Sequence, residues 1–213
     1  MAAQTMQVYN SIKENIINGT YLPSESLKEL DLAQQYKVSR NTIKKCLLML
    51  EKKGLVVIEP NKGAKVRAYS LKEVLNFFEL RAVLEGFIVK LAVPVLKASD
   101  IKQLEAIMKA MKSNFENHQL IEYSKCNQAF HTVIHNACPN ELVVEMSQSL
   151  KNQMSKYNTK TILVPGRSDE SLGEHQAILD AIKSKDANLA EENMKRHILN
   201  VRKTFEDNFS LLI

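Results

Sequence analysis

Three histidines and an asparagine in the second half of the chain have the side chains and the spacing to bind a metal ion. Asn127 and His131 are four residues apart in a helical pattern, so both side chains share one face about one turn apart. His175 and His197 belong to two later helical segments. Imidazole nitrogens and an amide oxygen from facing helices can converge on a divalent cation in a bundle core. Spacing alone leaves open the alternative that these are ordinary packed or surface residues.

Such a site needs a helical scaffold, and the sequence after residue 69 predicts one. Apolar residues recur at helical spacing, and proline, glycine and capping residues interrupt them. The predicted helices cover residues 71–93, 99–115, 120–137, 139–156, 168–183 and 187–209. We therefore expect residues 70–213 to form an all-helical bundle that is large enough for its own core.

The segment from Leu32 to Arg67 predicts a different architecture, a winged helix-turn-helix. Ser39 is a good N-cap for a helix whose buried stripe is Ile43, Leu47 and Leu50. The β-branched run after Gly54, the turn residues 59–63 and the return from residue 64 to 67 predict a two-stranded wing. Two earlier helices are predicted from the apolar stripes Val8, Ile12, Ile16 and Leu27, Leu30, Ala33. The predicted fold is therefore mainly α, with a winged helix-turn-helix over residues 1–69.

A helix in this position would contact DNA with its first turn. Arginine pairs with guanine and asparagine with adenine in the major groove, which makes Arg40 and Asn41 candidates for base contacts. Lys44 and Lys45 are better placed to contact phosphates, and Lys62 at the tip of the wing can reach a groove or a phosphate. The predicted DNA-contacting residues are Arg40, Asn41, Thr42, Lys44, Lys45, Lys62 and Gly63.

The charge distribution agrees with a DNA-binding first domain. Residues 1–68 contain 11 Lys and Arg against 6 Asp and Glu, whereas residues 69–213 contain 18 of each. The whole excess of five positive charges therefore lies in the first third, where it attracts phosphate polyanions. A solvated cationic face on an ordinary helical domain is the alternative, but the turn and hairpin patterns disfavour it.

The composition and the apolar pattern indicate a folded protein without a membrane-spanning segment. The 213 residues are 45% hydrophobic and 25% charged, as in ordinary folded proteins. The chain has no run of about 18 apolar residues and no apolar signal core, so we expect a cytoplasmic protein without a membrane partner. Cys46, Cys126 and Cys138 form no Cys-x-x-Cys pair and are expected to be reduced.

Short motifs in the first domain resemble a known family. These motifs are Pro23-Ser24-Glu25-Ser26-Leu27, Val38-Ser39-Arg40, Gly54-Leu55 and Gly63-Ala64. Residues 8–68 thereby resemble the DNA-binding domain of GntR-type bacterial transcription regulators. The segment 41–47 departs from the family's usual Thr-Pro-Val-Arg-Glu-Ala-Leu. Lys44 keeps the charge of the family's arginine but loses its planar fork, so we expect a different operator preference.

The second domain resembles the FCD effector domain of the FadR branch of that family. The motifs are Asn127-Gln128-Ala129-Phe130-His131, Ser171-Leu172-Gly173-Glu174-His175 and Met194-Lys195-Arg196-His197. In metal-binding members, an aspartate and three histidines at these positions are ligands. The resemblance therefore implies a divalent metal, zinc or a nickel-like transition ion, at Asn127, His131, His175 and His197. A neutral amide replaces the carboxylate here, which should weaken the site and change its metal preference.

The same resemblance implies an effector and a mode of action. Arg81 and Arg167 match family arginines that hold a small organic or sugar acid together with the metal, since guanidinium and carboxylate form bidentate bonds. An ion pair between Arg81 and Glu85 is the alternative for that residue. The implied protein is a homodimer that binds a palindromic operator in double-stranded DNA and acts as a repressor released by the acid.

Two other functions use the same residues. In one, the metal ion itself is the signal. In the other, which is a metal-dependent hydrolase, Glu174 would act as a base beside His175. The sequence has no HExxH motif, activated nucleophile or phosphate loop to support an enzyme. We therefore predict a regulator and no catalytic residues.

Overall fold

A computed structural model of the chain describes residues 2–59, 63–153 and 161–212. Contacts within it separate two compact units, Met1–Ser70 and Leu71–Ile213. The prediction of a mainly α protein with a small wing and a helical second part is confirmed. Among the described residues, no helix is both long enough and apolar enough to cross a membrane.

The first unit combines helices with a small antiparallel sheet. In chain order its elements are α1 (Ala2–Ile17), β1 (Ser26–Leu27), α2 (Glu29–Tyr36), α3 (Arg40–Lys52), β2 (Val56–Glu59) and β3 (Gly63–Val66). The strand order is β1-β3-β2, so β3 lies in the middle. One apolar core joins the helices to the inner face of the sheet.

Helix α3 forms where the sequence predicts it because its cap and its apolar stripe agree. The hydroxyl oxygen of Ser39 accepts a hydrogen bond from the backbone N–H of Thr42 at 3.2 Å, which satisfies one of the donors that a helix start leaves open. Ile43, Leu47 and Leu50 are all buried in the core. With this stripe facing inward, the polar residues of α3 remain at the surface.

The predicted apolar stripe of the second helix is wrong at Leu27 and Leu30, whereas Ala33 is buried on α2 as predicted. Leu27 lies in β1, where it pairs with Ala64 of β3 and is buried. Leu30 is 55% exposed, and Leu32 is the buried leucine of α2. A strand of two residues has too little alternation to be distinguished from a helix by pattern alone.

The second unit consists of helices in the described part. Their bounds are α4 (Leu71–Ala92), α5 (Ala98–Glu116), α6 (Leu120–Ala137), α7 (Glu141–Gln153), a 3₁₀ turn (Thr161–Leu163), α8 (Arg167–Lys183), α9 (Ala187–Asp207) and α10 (Phe209–Leu212). The predicted extension of α7 to residue 156 lies outside the described residues.

Helices α4 and α9 form the most extensive helix pair of this unit, and α8 packs on α9. Gly86 permits a close approach, because a Cβ atom there would lie 2.7 Å from Cγ of Lys195 on α9. Helix α6 packs on both α4 and α5. The three histidine-bearing helices α6, α8 and α9 are thus held in one bundle.

Candidate functional site

The exposed face of α3 carries the residues predicted to contact DNA. Arg40, Asn41, Lys44 and Lys45 are all exposed. A terminal nitrogen of Arg40 lies 3.5 Å from a carboxylate oxygen of Glu29, and the arginine side chain is 68% exposed. An exposed ion pair contributes little stability, so it leaves Arg40 available to another anion.

The wing follows this helix. Gly63 opens β3 with φ of +84°, in the left-handed region that favours glycine. Val57 and Lys65 face each other across the β2–β3 ladder. Lys62, which was predicted to contact DNA from the tip, lies outside the described residues.

In the second unit, three of the four predicted metal ligands come together. His131 on α6, His175 on α8 and His197 on α9 each offer a ring nitrogen, and these nitrogens all lie within 4.8 Å of one another. The ring centroids of His175 and His197 are 4.4 Å apart. All three side chains are buried. Three facing imidazoles at this spacing form the first coordination shell of many transition-metal sites.

Two of the imidazoles are oriented by acceptors on their outer nitrogens. Nδ1 of His175 donates to the carbonyl oxygen of Ser171 at 2.6 Å. Nδ1 of His197 donates to a carboxylate oxygen of Glu174, also at 2.6 Å. An imidazole that carries its proton on Nδ1 presents an unprotonated Nε2, which is the nitrogen that binds a metal.

Glu174 is itself held by several donors. The guanidinium of Arg167 donates to its two oxygens at 3.1 and 2.6 Å, and Nδ2 of Asn200 donates at 2.7 Å. Although burial alone would raise the pKa of Glu174, the bonds from His197 and Arg167 lower it to about 2. Glu174 is therefore a fixed anion that orients His197, which makes it a poor general base.

Burial keeps the histidine cluster neutral. Loss of solvation lowers the pKa of His131 to about 3 and lowers the pKa values of His175 and His197. A neutral imidazole is the form that binds metal ions, so no proton must first be displaced near neutral pH. The cluster is thus in its metal-binding state.

Buried polar atoms without partners test whether the site fits a cation. Nε2 of His175 and Oδ1 of Asn127 are buried, and neither has a hydrogen-bond partner among the described residues. A buried acceptor left unpaired costs about 1–3 kcal/mol. A cation bound by the cluster would satisfy Nε2 of His175, so the three imidazole nitrogens fit a transition metal. Oδ1 of Asn127, four residues before His131 on α6, is a buried oxygen that still lacks a partner.

The two predicted effector arginines are both buried next to this cluster. Arg81 lies on α4, and its Nε is 3.7 Å from a carboxylate oxygen of Glu85, which is the ion pair left open as its alternative. The charge of Arg81 also acts on His131 and His197. Arg167 forms the bidentate pair with Glu174, a partner that the sequence did not indicate.

Sequence reasoning also missed a second buried cluster beside the first. A carboxylate oxygen of Glu85 accepts from Nε2 of His135 at 2.8 Å, and the other accepts from the hydroxyl of Ser147 at 2.8 Å. His135 matches no ligand position of the family motifs. Its place four residues after His131, on the same helical face, was the available signal.

Comparison with known proteins agrees with this arrangement of domains. Residues 4–66 match the bacterial regulatory proteins of the gntR family, and residues 76–200 match the FCD domain. The second match covers more than half of the chain and contains all three histidines. The first match contains α3 and most of the wing.

Two curated relatives are named as repressors. The chain is 27% identical over 209 residues to the HTH-type transcriptional repressor GlaR of Escherichia coli, which covers 93% of this chain and 94% of the relative. It is 23% identical over 211 residues to the gluconate operon transcriptional repressor of Bacillus subtilis, with 97% and 86% covered.

A solved structure has the same fold. The chain resembles McbR/YncC of Escherichia coli with a TM-score of 0.71 and 21% identity, over 100% of this chain and 98% of the other. At this identity the likeness concerns the fold alone. The relatives are named as transcription regulators. The carboxylate of Glu174 is already bound by Arg167, His197 and Asn200. Both observations argue against a hydrolase in which Glu174 is the base.

Proposed function

Since this chain belongs to the gntR family of bacterial transcription regulators and carries a C-terminal FCD domain, we propose that it is a metal-containing repressor released from DNA by a small organic or sugar acid. The buried cluster of three neutral histidines is the observation that carries the proposal. The names of the two repressor relatives support the direction of regulation, and one of them concerns a gluconate operon.

The first unit would bind the operator. Arg40, Asn41 and Thr42 stand in the first turn of α3, where a recognition helix contacts base edges. Lys44 and Lys45 follow on the exposed part of the helix and would contact phosphates. Gly63, with Lys62 before it, would bring the wing to the DNA backbone.

The second unit would hold the metal and the acid. His131, His175 and His197 would bind the ion, with Oδ1 of Asn127 as a further ligand. A bound zinc or nickel ion supplies a Lewis acid with open positions that attract carboxylate oxygens. Arg81 adds a positive charge that acts on the same histidines, and guanidinium favours carboxylates. A small acid anion is therefore the ligand that this chemistry selects.

A homodimer would match a palindromic operator. Exposed apolar residues at helical spacing on α4, and others on α7, which packs against α4, support this assembly. These residues are Leu80, Val83, Phe87, Leu142 and Met146. Large exposed apolar patches are uncommon in monomers, and a two-fold interface would place two copies of α3 against two half-sites.

Release of DNA requires that the acid prefers one arrangement of the dimer. A ligand with equal affinity for both arrangements shifts nothing, however tightly it binds. We propose that ligation at the junction of α6, α8 and α9 biases the relative positions of these helices. The DNA-bound and free forms would then differ in their affinity for the acid.

A thermal-shift screen of gluconate, other sugar acids and small organic acids tests the proposal. Each acid is added with and without zinc or nickel, to the wild type and to His175→Ala. An acid at about 100 times its Kd adds roughly 2.7 kcal/mol, which raises Tm by roughly 5–10 °C in a chain of this size. We expect such a shift only in metal-loaded wild type.

The active acid is then tested for release of a duplex that the protein selects from a random-sequence pool. We expect weaker binding to the duplex when acid and metal are both present. Release by the metal alone would support the metal-sensing alternative instead. If no acid raises the Tm of the metal-loaded wild type above that of the metal-free protein, the proposed effector is overturned.

A further inference from the structure

Glu85 is a buried anion next to the histidine cluster that the proposed metal site does not use. Its side chain is only 1% exposed, and it comes from α4, whereas the three histidines come from α6, α8 and α9. A buried charge is retained only where nearby groups compensate it. The groups that contact Glu85 therefore indicate the role of its negative charge.

Four polar side chains of the described residues approach the carboxylate, and the charge of Lys151 also acts on it. His135 and Ser147 donate hydrogen bonds to its two oxygens, and Arg81 lies 3.7 Å from one of them. The fourth neighbour is His131, whose Nδ1 lies 3.6 Å from the oxygen that His135 contacts. A buried carboxylate that accepts two hydrogen bonds and lies near a guanidinium is compensated in its charged form. Its oxygen thus brings a negative charge within reach of a proposed metal ligand.

The contact with His131 completes a pattern. Nδ1 of His175 and Nδ1 of His197 each donate to an oxygen, and Glu174 supplies one of these oxygens. Nδ1 of His131 has no hydrogen-bond partner in the described part of the chain, yet it lies just beyond hydrogen-bond distance from Glu85. A small rotation of the imidazole would give it the same kind of acceptor as His197.

We propose that Glu85 is a positioning residue of the metal site, which orients His131 through Nδ1 and supplies the negative charge that the neutral Asn127 does not provide. This inference rests on the proposed metal binding. A carboxylate behind a ligating imidazole fixes the ring, raises its basicity and stabilises the cation. Hydrogen bonds from His135 and Ser147 to its two oxygens hold the carboxylate beside His131 in the ion-free chain.

Metal affinity measured on the full-length apoprotein tests this role. Zinc and nickel are titrated in competition with a chromophoric chelator, and thermal unfolding of the apoprotein is recorded in parallel. We expect Glu85→Gln to weaken binding by about 10–100-fold. Placing a carboxylate at the proposed ligand position with Asn127→Asp in the Glu85→Gln background should recover much of the loss.

His135→Leu is the matched control, because it disturbs the same buried cluster but keeps the charge of Glu85, whose other oxygen is still held by Ser147 and lies near Arg81. It should lower the Tm of the apoprotein while changing metal affinity by less than about threefold. If Glu85→Gln does not fold, Glu85→Asp, which withdraws the carboxylate by one methylene, is measured in its place, and the same loss and the same rescue are expected.

Equal losses of affinity in the Glu85 and His135 variants would reduce Glu85 to a packing role and overturn the inference. Unchanged affinity in the Glu85 variant would overturn it as well, while leaving the metal site intact. A wild-type protein that binds neither ion would overturn the metal site itself, and this inference with it.

Discussion

Replacing Glu174 with glutamine removes one charge from the network behind the histidine cluster. The carboxylate accepts from both terminal nitrogens of Arg167, from Nδ1 of His197 and from Nδ2 of Asn200. The amide of glutamine keeps one oxygen, but its NH₂ group would face donors. Arg167, which is 2% exposed, would then keep only the exposed carboxylate of Glu170, 3.6 Å away, as a neighbouring anion.

The expected loss follows from this burial. Removing one partner of a buried ion pair costs about 3–5 kcal/mol, because the remaining charge cannot return to water. In a chain of this size, such a loss lowers Tm by roughly 6–20 °C. Glu170→Gln is the matched control on the same helix. Its carboxylate also lies near Arg167, at 3.6 Å, but it is 68% exposed, so the expected loss is below about 1 kcal/mol.

Thermal unfolding of chelator-treated protein, followed by circular dichroism, measures both variants. A second substitution, Arg167→Met in the Glu174→Gln background, should recover part of the loss by removing the buried charge. Equal and small effects of Glu174→Gln and Glu170→Gln would refute the reasoning, because the network would then contribute no more than a surface pair.

Three further predictions concern other parts of the chain. For the apoprotein, the free energy of unfolding should fall as pH drops from about 6.5 towards 3. Over this range the histidines of the unfolded chain bind protons, whereas burial lowers the pKa of His131 in the folded chain to about 3 and keeps it neutral. Urea titrations at several pH values should show this slope, and His131→Leu should reduce it by at most about 1.4 kcal/mol per pH unit. Gly86→Ala should destabilise by about 1–3 kcal/mol, since its Cβ would lie 2.7 Å from a side-chain carbon of α9. Gly173→Ala, with nothing within 4 Å of its Cβ, should instead stabilise by about 0.5–1 kcal/mol; equal Tm shifts in the two would contradict the packing argument. Arg40→Ala should abolish sequence preference in DNA-binding titrations, whereas Lys44→Ala should weaken all sequences alike and reduce the salt slope by about 1. Unchanged preference in the Arg40 variant would exclude α3 as the base-contacting helix.

Local signals predicted most of the fold. Ser39 and the stripe of α3 are separated by few residues, so capping and periodicity determine that helix from its own sequence. The mistake over Leu27 arose where long-range pairing decides, because its strand partner is Ala64. A segment as short as β1 gains its conformation from the sheet and not from its own residues.

The candidate site also contains residues that a local pattern predicts and contacts that depend on long-range packing. Spacing within α6 and the motifs around His175 and His197 single out the three imidazoles as candidate metal ligands from local sequence. The sequence named Glu85 only as a partner of Arg81, because His135, which donates to it, is 50 residues away in the chain and lies on another helix. Contacts behind the metal ligands depend on how helices pack, which one sequence does not encode in any local pattern.

Metal content tests the central claim most directly. Elemental analysis of wild-type protein purified without chelator, in parallel with His175→Ala, counts the bound ions. We expect about one transition-metal ion per wild-type chain and nearly none in the variant. A metal-free wild-type protein that still binds its operator and responds to an acid would contradict the claim that the three histidines form a metal centre.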